Sequence, residues 1–261
     1  MMLTEKIRKG NIKAVICNEY KAFGDFIMEL PGMFSRHEGE VLFSGRNEVR
    51  LFIHEGVKLV VKRYKRVNPI QRIVYTFFRR TKAERAFLYA EVLRNRGINT
   101  PHEVAYIEES ENGLFAIGYF VSLHCPDPPA FPDLVPKENF NRSLAESLAS
   151  FVYLMHKNGI LHGDMNFGNF LYHYDDNGKC CFTVIDTNRS HFCQGFPERS
   201  ECLKNFCTTT HRRDVFEFIV RRYASLRGWN EDDALKDAVY YLDKFEEHHR
   251  RKEKLKKKIH N

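Results

Sequence analysis

A chain of 261 residues, 43% hydrophobic and 29% charged, has material for a substantial core, as one domain or as two small lobes. Its formal charge is +7, and no apolar run reaches the roughly 18 residues that a membrane-spanning helix needs, so any membrane contact is expected to be peripheral. Seven cysteines with no C-x-x-C pair, behind a stretch from Met1 to Asn11 without the apolar centre of a secretory leader, argue for a reducing, cytosolic setting.

The first half reads mostly as strand. EVLFSGRNEVRLFI, Glu40 to Ile53, gives two β-prone runs around Gly45-Arg46-Asn47, and KLVVKRY, Lys58 to Tyr64, follows the turn at Glu55-Gly56, which makes a three-stranded meander. From Lys62 to Arg85 nine Lys and Arg stand against one acid, Glu84. Within that stretch, Val67 to Phe78 sets Ile70, Ile73, Val74, Tyr75, Phe77 and Phe78 around Arg72 and between the flanking Arg66 and Arg79. The pattern suits an amphipathic helix in a bilayer interface and equally suits packing on an N-terminal lobe. A helix is expected from Thr81 to Arg96, with Ala83, Phe87, Ala90 and Arg94 on one face and Gly97 as its stop. EVAYIEE and LFAIGYFVSL, joined through Asn112-Gly113, read as a hairpin.

The Pro-rich run CPDPPAFPDLVP, Cys125 to Pro136, is the sharpest break in composition and places two lobes at residues 1–124 and 125–261. After it, Leu144, Leu148, Phe151 and Met155 fall at helical spacing up to Gly159. FLYHY, DDNG and CCFTVID read as a second hairpin, and helices are expected from about Arg212 onward. A second basic run, Arg250 to Lys258, holds seven cations and one acid. It suits an anionic partner and equally a solvated helix face. Cys193, Cys202, Cys207 and His211 do not match the spacing of a familiar zinc site.

The second hairpin carries the chemistry. Asn177-Gly178 tolerates the positive φ that a tight turn needs, so the strands run side by side and Asp186, after the second, returns to Asn169, before the first. Asp164 precedes Asn169 by five residues in a loop with Gly163 and Gly168. Two carboxylates and an amide oxygen are hard ligands, better suited to Mg²⁺ than to zinc. A Mg²⁺ site beside a spare carboxylate is what phosphoryl transfer to a hydroxyl requires.

The spacing His162-Gly163-Asp164, Asn169, then an apolar strand ending in Ile185-Asp186, resembles the catalytic loop and metal-binding aspartate of the protein-kinase-like superfamily. Its middle glycine is closer to the small-molecule and sugar kinases than to protein kinases. The resemblance implies a bilobal α+β fold: a β-rich N-terminal lobe with one main helix and a mostly helical C-terminal lobe. It makes Asp164 the catalytic base and Asn169 and Asp186 the Mg²⁺ ligands, with His162 as a brace of the loop. Lys62 would hold the ATP phosphates, and Glu84 would pair with Lys62, with Glu91 as the fallback. Gly45, Arg46 and Asn47 would cover the phosphates, although one glycine replaces the usual three. Asp186 is followed by Thr187-Asn188-Arg189, Asn166 stands where protein kinases usually have lysine, and no A-P-E segment is found, so regulation of the protein-kinase type is not expected.

GEVLFSGRNEVRLF, LVVKRYK, AERAF with GINTP, HGDMNFGNFLY, IDTNR and IVRRYASLRGW together resemble the lipopolysaccharide kinases, which phosphorylate Kdo or heptose of the inner core. That implies an ATP- and Mg²⁺-dependent sugar kinase, peripheral on the cytoplasmic face of the inner membrane, acting on a lipid-linked acceptor of the lipid A–Kdo type. An anionic membrane surface is then an expected partner; nucleic acid and a protein partner are not. The competing readings are a kinase for a protein or a soluble small molecule, and a pseudokinase-type binding module.

Overall fold

The computed structural model describes residues 3–136 and 138–260, leaving the side chains of residues 255–260 aside. Of the basic run Arg250 to Lys258, the side chains beyond Lys254 lie outside the described residues. The chain forms two compact units, Met1–Asn95 with Thr100–Pro126, and Arg96–Asn99 with Asp127–Asn261.

The first unit is an antiparallel sheet of seven strands with helices on both faces. Along the chain come β1 (Thr4–Lys9), β2 (Ile12–Cys17), α1 (Gly24–Ser35), β3 (Glu40–Ser44), β4 (Glu48–His54), β5 (Val57–Arg63), α2 (Pro69–Phe77), α3 (Lys82–Asn95), β6 (Glu103–Glu111) and β7 (Leu114–Leu123). The strand order is β1-β2-β6-β7-β5-β4-β3. In β2, Ala14 and Ile16 join a cluster with Ile27, Leu30 and Phe34 of α1, while Val15 and Cys17 join Ala83 and Phe87 of α3. Successive side chains point to opposite faces of a strand, so α1 and α3 cover opposite faces of the sheet. The expected meander is β3-β4-β5, and the hairpin β6-β7 turns through Asn112 (φ 51) and Gly113 (φ 76), the two left-handed residues of a type I′ turn.

The opening hairpin β1-β2 and α1 were not anticipated. β1 (TEKIRK) is almost wholly exposed and polar, and α1 holds Gly24, Pro31 and Gly32, residues that read as breakers. Burial of Ile27, Leu30 and Phe34, each worth about 1.5–3 kcal/mol as an upper estimate, outweighs those propensities.

The second unit comprises α4 (Phe131–Leu134), α5 (Arg142–Lys157), β8 (Ile160–Leu161), β9 (Phe170–Tyr174), β10 (Cys180–Val184), β11 (His191–Phe192), α6 (Arg199–Asn205), α7 (Arg213–Leu226) and α8 (Glu231–His260). Asn141 caps α5, its side-chain oxygen accepting from Leu144 N at 3.0 Å, and Leu144, Leu148, Val152 and Met155 form the buried stripe. Gly159 (φ +68) ends the turn, and a Cβ there would collide with the carbonyl of Cys193. β9 and β10 pair from Phe170↔Val184 to Tyr174↔Cys180.

Their turn falls where expected, at Asp175 to Gly178, but only one of its two Asn-Gly residues is left-handed. It spans Asp175 to Lys179, with Asp175 Oδ1 accepting from Asn177 N (3.0 Å) and Lys179 N (2.9 Å). Only Gly178 (φ +74) takes the left-handed conformation; Asn177 does not. The Asp175 carboxylate satisfies the backbone donors that a tighter turn would have spent on the ladder. The side-by-side pairing is unchanged.

Candidate active site

Three hydrogen bonds knot the predicted loop. The side-chain amide of Asn169 donates to the Asp164 carbonyl at 3.0 Å, and Ile185 N donates to the Asn169 carbonyl at 3.0 Å. His162, fully buried, holds the Ile185 carbonyl through Nε2 at 3.0 Å. Because a carbonyl only accepts, Nε2 carries the proton. Burial pushes the His162 pKa down, so the ring stays neutral. Asp164 and Asn169 are thereby fixed to each other and to the residue before Asp186. With Asn169 Nδ2 committed, its Oδ1 is the atom left for a cation.

Asp186 takes the left-handed conformation (φ 59, ψ 42), rare for a residue other than glycine, and its Oδ1 accepts from Asn188 Nδ2 at 2.6 Å. Arg189, half exposed, donates from Nη1 to Asp164 Oδ2 at 3.0 Å. Gly163 (φ +74) lies against Arg189, and a Cβ there would meet the Arg189 carbonyl oxygen.

A second layer beneath the loop was not foreseen. Gly163 N donates to Asn205 Oδ1 at 3.2 Å, and Met165 N donates to Thr208 Oγ1 at 2.7 Å. Since Asn205 accepts through its oxygen, its nitrogen donates to His156 Nε2 at 3.1 Å. The proton of His156 therefore sits on Nδ1 and is donated to the Tyr223 hydroxyl at 2.7 Å, which also accepts from Arg227 at 2.8 Å. Burial first, and the nearby Arg227 charge second, lower the His156 pKa to about 3. No spacing in the sequence signals Asn205 or His156; each bridges elements distant along the chain.

The donor set fits Mg²⁺, which takes one or two protein oxygens and completes its shell with phosphate and water. Among the described residues no group of three His, Cys, Asp or Glu side chains converges as a metal cage, and none of the seven cysteines is in a disulfide.

In the first unit, Lys62 lies on β5, cross-strand from Val49 of β4 and Phe120 of β7, with Nζ 5.5 Å from the Tyr64 ring. Glu84 has other neighbours than the lysine expected. It faces Arg80 at 3.7 Å, and burial together with Glu108 raises its pKa. Glu91 lies two turns further on the same side of α3 and acts on Cys17, which packs with Tyr64 in one cluster. Glu84 acts on Tyr106 of the same cluster, so both glutamates border it. Gly45, Arg46 and Asn47 form the turn from β3 to β4, closed by Gly45 N to the Asn47 carbonyl at 3.1 Å, with Asn47 Oδ1 accepting from Lys65 N at 3.1 Å. Gly45 is not left-handed; a side chain there would instead meet the Phe43 ring.

Comparison with known proteins agrees with the resemblance. Residues 125–201 match the lipopolysaccharide kinase (Kdo/WaaP) family. Among solved structures, "WaaP in complex with acyl carrier protein" is 17% identical, with a TM-score of 0.55 over 91% of this chain and 98% of that one. The Rio2 kinase–ADP/Mg²⁺–phosphoaspartate complex from Chaetomium thermophilum is 14% identical, with a TM-score of 0.45 over 93% of this chain and 82% of that one. Comparison with curated proteins gives no match. The chain, an α+β fold of two units, is similar in fold to that WaaP structure, and residues 125–201, which hold Asp164, Asn169 and Asp186, match the lipopolysaccharide kinase (Kdo/WaaP) family.

Proposed function

We propose that the chain is an ATP-dependent kinase that transfers the γ-phosphate to a sugar hydroxyl, of Kdo or of heptose, in the inner core of lipopolysaccharide. The observation behind this reading is the knot of Asp164, Asn169 and Asp186, inside the segment that matches the family. Asn169 Oδ1 and Asp186 would hold Mg²⁺, which when bound offsets charge on the phosphates. Asp164 orients the acceptor hydroxyl and takes its proton as the new oxygen–phosphorus bond forms and the bond from the γ-phosphorus to the bridging oxygen breaks, with ADP as the leaving group. Arg189 steadies one oxygen of Asp164, leaving the other for that proton. Lys62 would bind the nucleotide phosphates, a glutamate of α3, Glu84 or its fallback Glu91, would orient it, and the turn Gly45-Arg46-Asn47 would lie over the phosphates. Work on a lipid-linked acceptor would put the chain at the cytoplasmic face of a membrane. The complex of the WaaP relative makes acyl carrier protein a candidate partner here.

The test is incubation of the purified chain with ATP and Mg²⁺ and either Kdo-lipid A or a heptosylated core acceptor, followed by mass spectrometry. One acceptor is expected to gain the mass of one phosphate. ATP binding without mass gain on either would favour the pseudokinase or another acceptor.

A further inference from the structure

α2 is oriented against the usual rule for a surface helix. Asn68 caps it, its side chain accepting from Gln71 N at 2.8 Å, and Pro69 occupies the first turn. Its hydrogen-bonding side faces the protein. Arg72 Nε donates to the Phe115 carbonyl at 3.2 Å, Phe115 N donates to Thr76 Oγ1 at 2.9 Å, and the Tyr75 ring meets the Phe115 ring edge-on at 5.6 Å. At 100° per residue the opposite side is Ile70, Ile73 and Phe77, which are 75%, 47% and 67% exposed, and Phe78 just beyond the helix is 81% exposed. A globular helix buries that stripe, whereas α2 has no buried residue. An outward apolar patch of this kind marks an interaction site.

Charge says what covers it. Arg79 and Arg80 follow directly on Phe77 and Phe78, Lys65 and Arg66 precede the cap, all four are exposed, and no acid occurs from Val67 to Ala83. Arg66 pairs with Glu111 and Arg80 faces Glu84 at 3.7 Å, but phenylalanine and isoleucine beside exposed cations, in a stretch of sequence with no acid, match a bilayer interface whose phosphates are negative. We propose that α2 is a membrane-docking helix, with Ile70, Ile73, Phe77 and Phe78 entering an anionic bilayer interface and Arg79 and Arg80 meeting lipid phosphates. This names the surface behind the lipid-linked acceptor and rests on that reading for its purpose.

Co-sedimentation of the full chain with vesicles of phosphatidylethanolamine and phosphatidylglycerol, and with phosphatidylcholine alone, tests it. The chain is expected to pellet with the anionic vesicles and much less with the neutral ones. Phe77→Ser with Phe78→Ser should weaken that binding by about tenfold or more, and Arg79→Glu by a smaller factor. These side chains are exposed, so unfolding temperatures should not move. Ile53→Ser, at an exposed apolar position of β4, should bind as the parent does. Failure of the parent to pellet, or equal pelleting of all variants, overturns the proposal. Loss of acyl carrier protein binding by the same variants with vesicle binding intact also overturns it, in favour of a protein partner. Phosphorylation of a deacylated, soluble acceptor is measured alongside. Turnover without docking removes the surface alone, and docking without turnover removes the kinase reading alone.

Discussion

The loop from His162 to Asn169 and the turn from Gly45 to Asn47 are constructed in opposite ways. The loop is pinned from below by Asn205, Thr208 and His162, the last fully buried, and each of them reaches a specific backbone atom. The turn is an exposed link to β3, a strand exposed along its whole length, with Val41, Leu42 and Phe43 at 52%, 43% and 56%. Pre-organised polar groups support transition-state chemistry, because reorganisation during the reaction is avoided. An exposed covering contributes mainly to ground-state binding. On the proposed reading of the site, the difference assigns rate to the loop and nucleotide affinity to the turn.

The strongest way to break that assignment is Asp164→Ala. Loss of at least about 10³-fold in kcat is expected with ATP binding retained, measured by turnover and nucleotide titration; a variant near parental activity would remove Asp164 from its role. The next effect is acid sensitivity. The His156 pKa is about 3 in the fold, against an ordinary value near 6.5 in the unfolded chain. Between those values the unfolded state binds more protons, so stability is full above about pH 6.5 and falls as pH drops, by up to about 1.4 kcal/mol per pH unit. Denaturant melts at stepped pH should show this slope, and His156→Gln should flatten it whatever that variant's stability at neutral pH. A slope unchanged by the substitution would mean that the ring is not held neutral. The smallest effect belongs to the turn: Arg46→Ala should raise KM for ATP by less than about tenfold and leave kcat nearly unchanged. A fall in kcat alone would transfer rate to the turn and erase the contrast.

Much of the fold and of the site was legible where local chemistry decides structure. The Asn112-Gly113 turn and the β9-β10 pairing follow from residues adjacent in sequence, and the second of these brings Asn169 to Ile185. α1 was hidden because its breakers are overruled by contacts with strands far along the chain. Glu84 looked right by helical position alone, but its neighbours are Arg80 and Glu108, which helical spacing does not record. The relay from Asn205 through His156 to Tyr223 joins α6, α5 and α7, and no periodicity records such a meeting.

Asp186 stands in a backbone region that costs most L-residues about 1 kcal/mol and that glycine enters freely. An engineer who selected this chain for heat resistance alone would therefore be rewarded for replacing it. Thermostable collections should accumulate glycine at position 186 and be catalytically silent, so durability and turnover have to be selected together at this one codon.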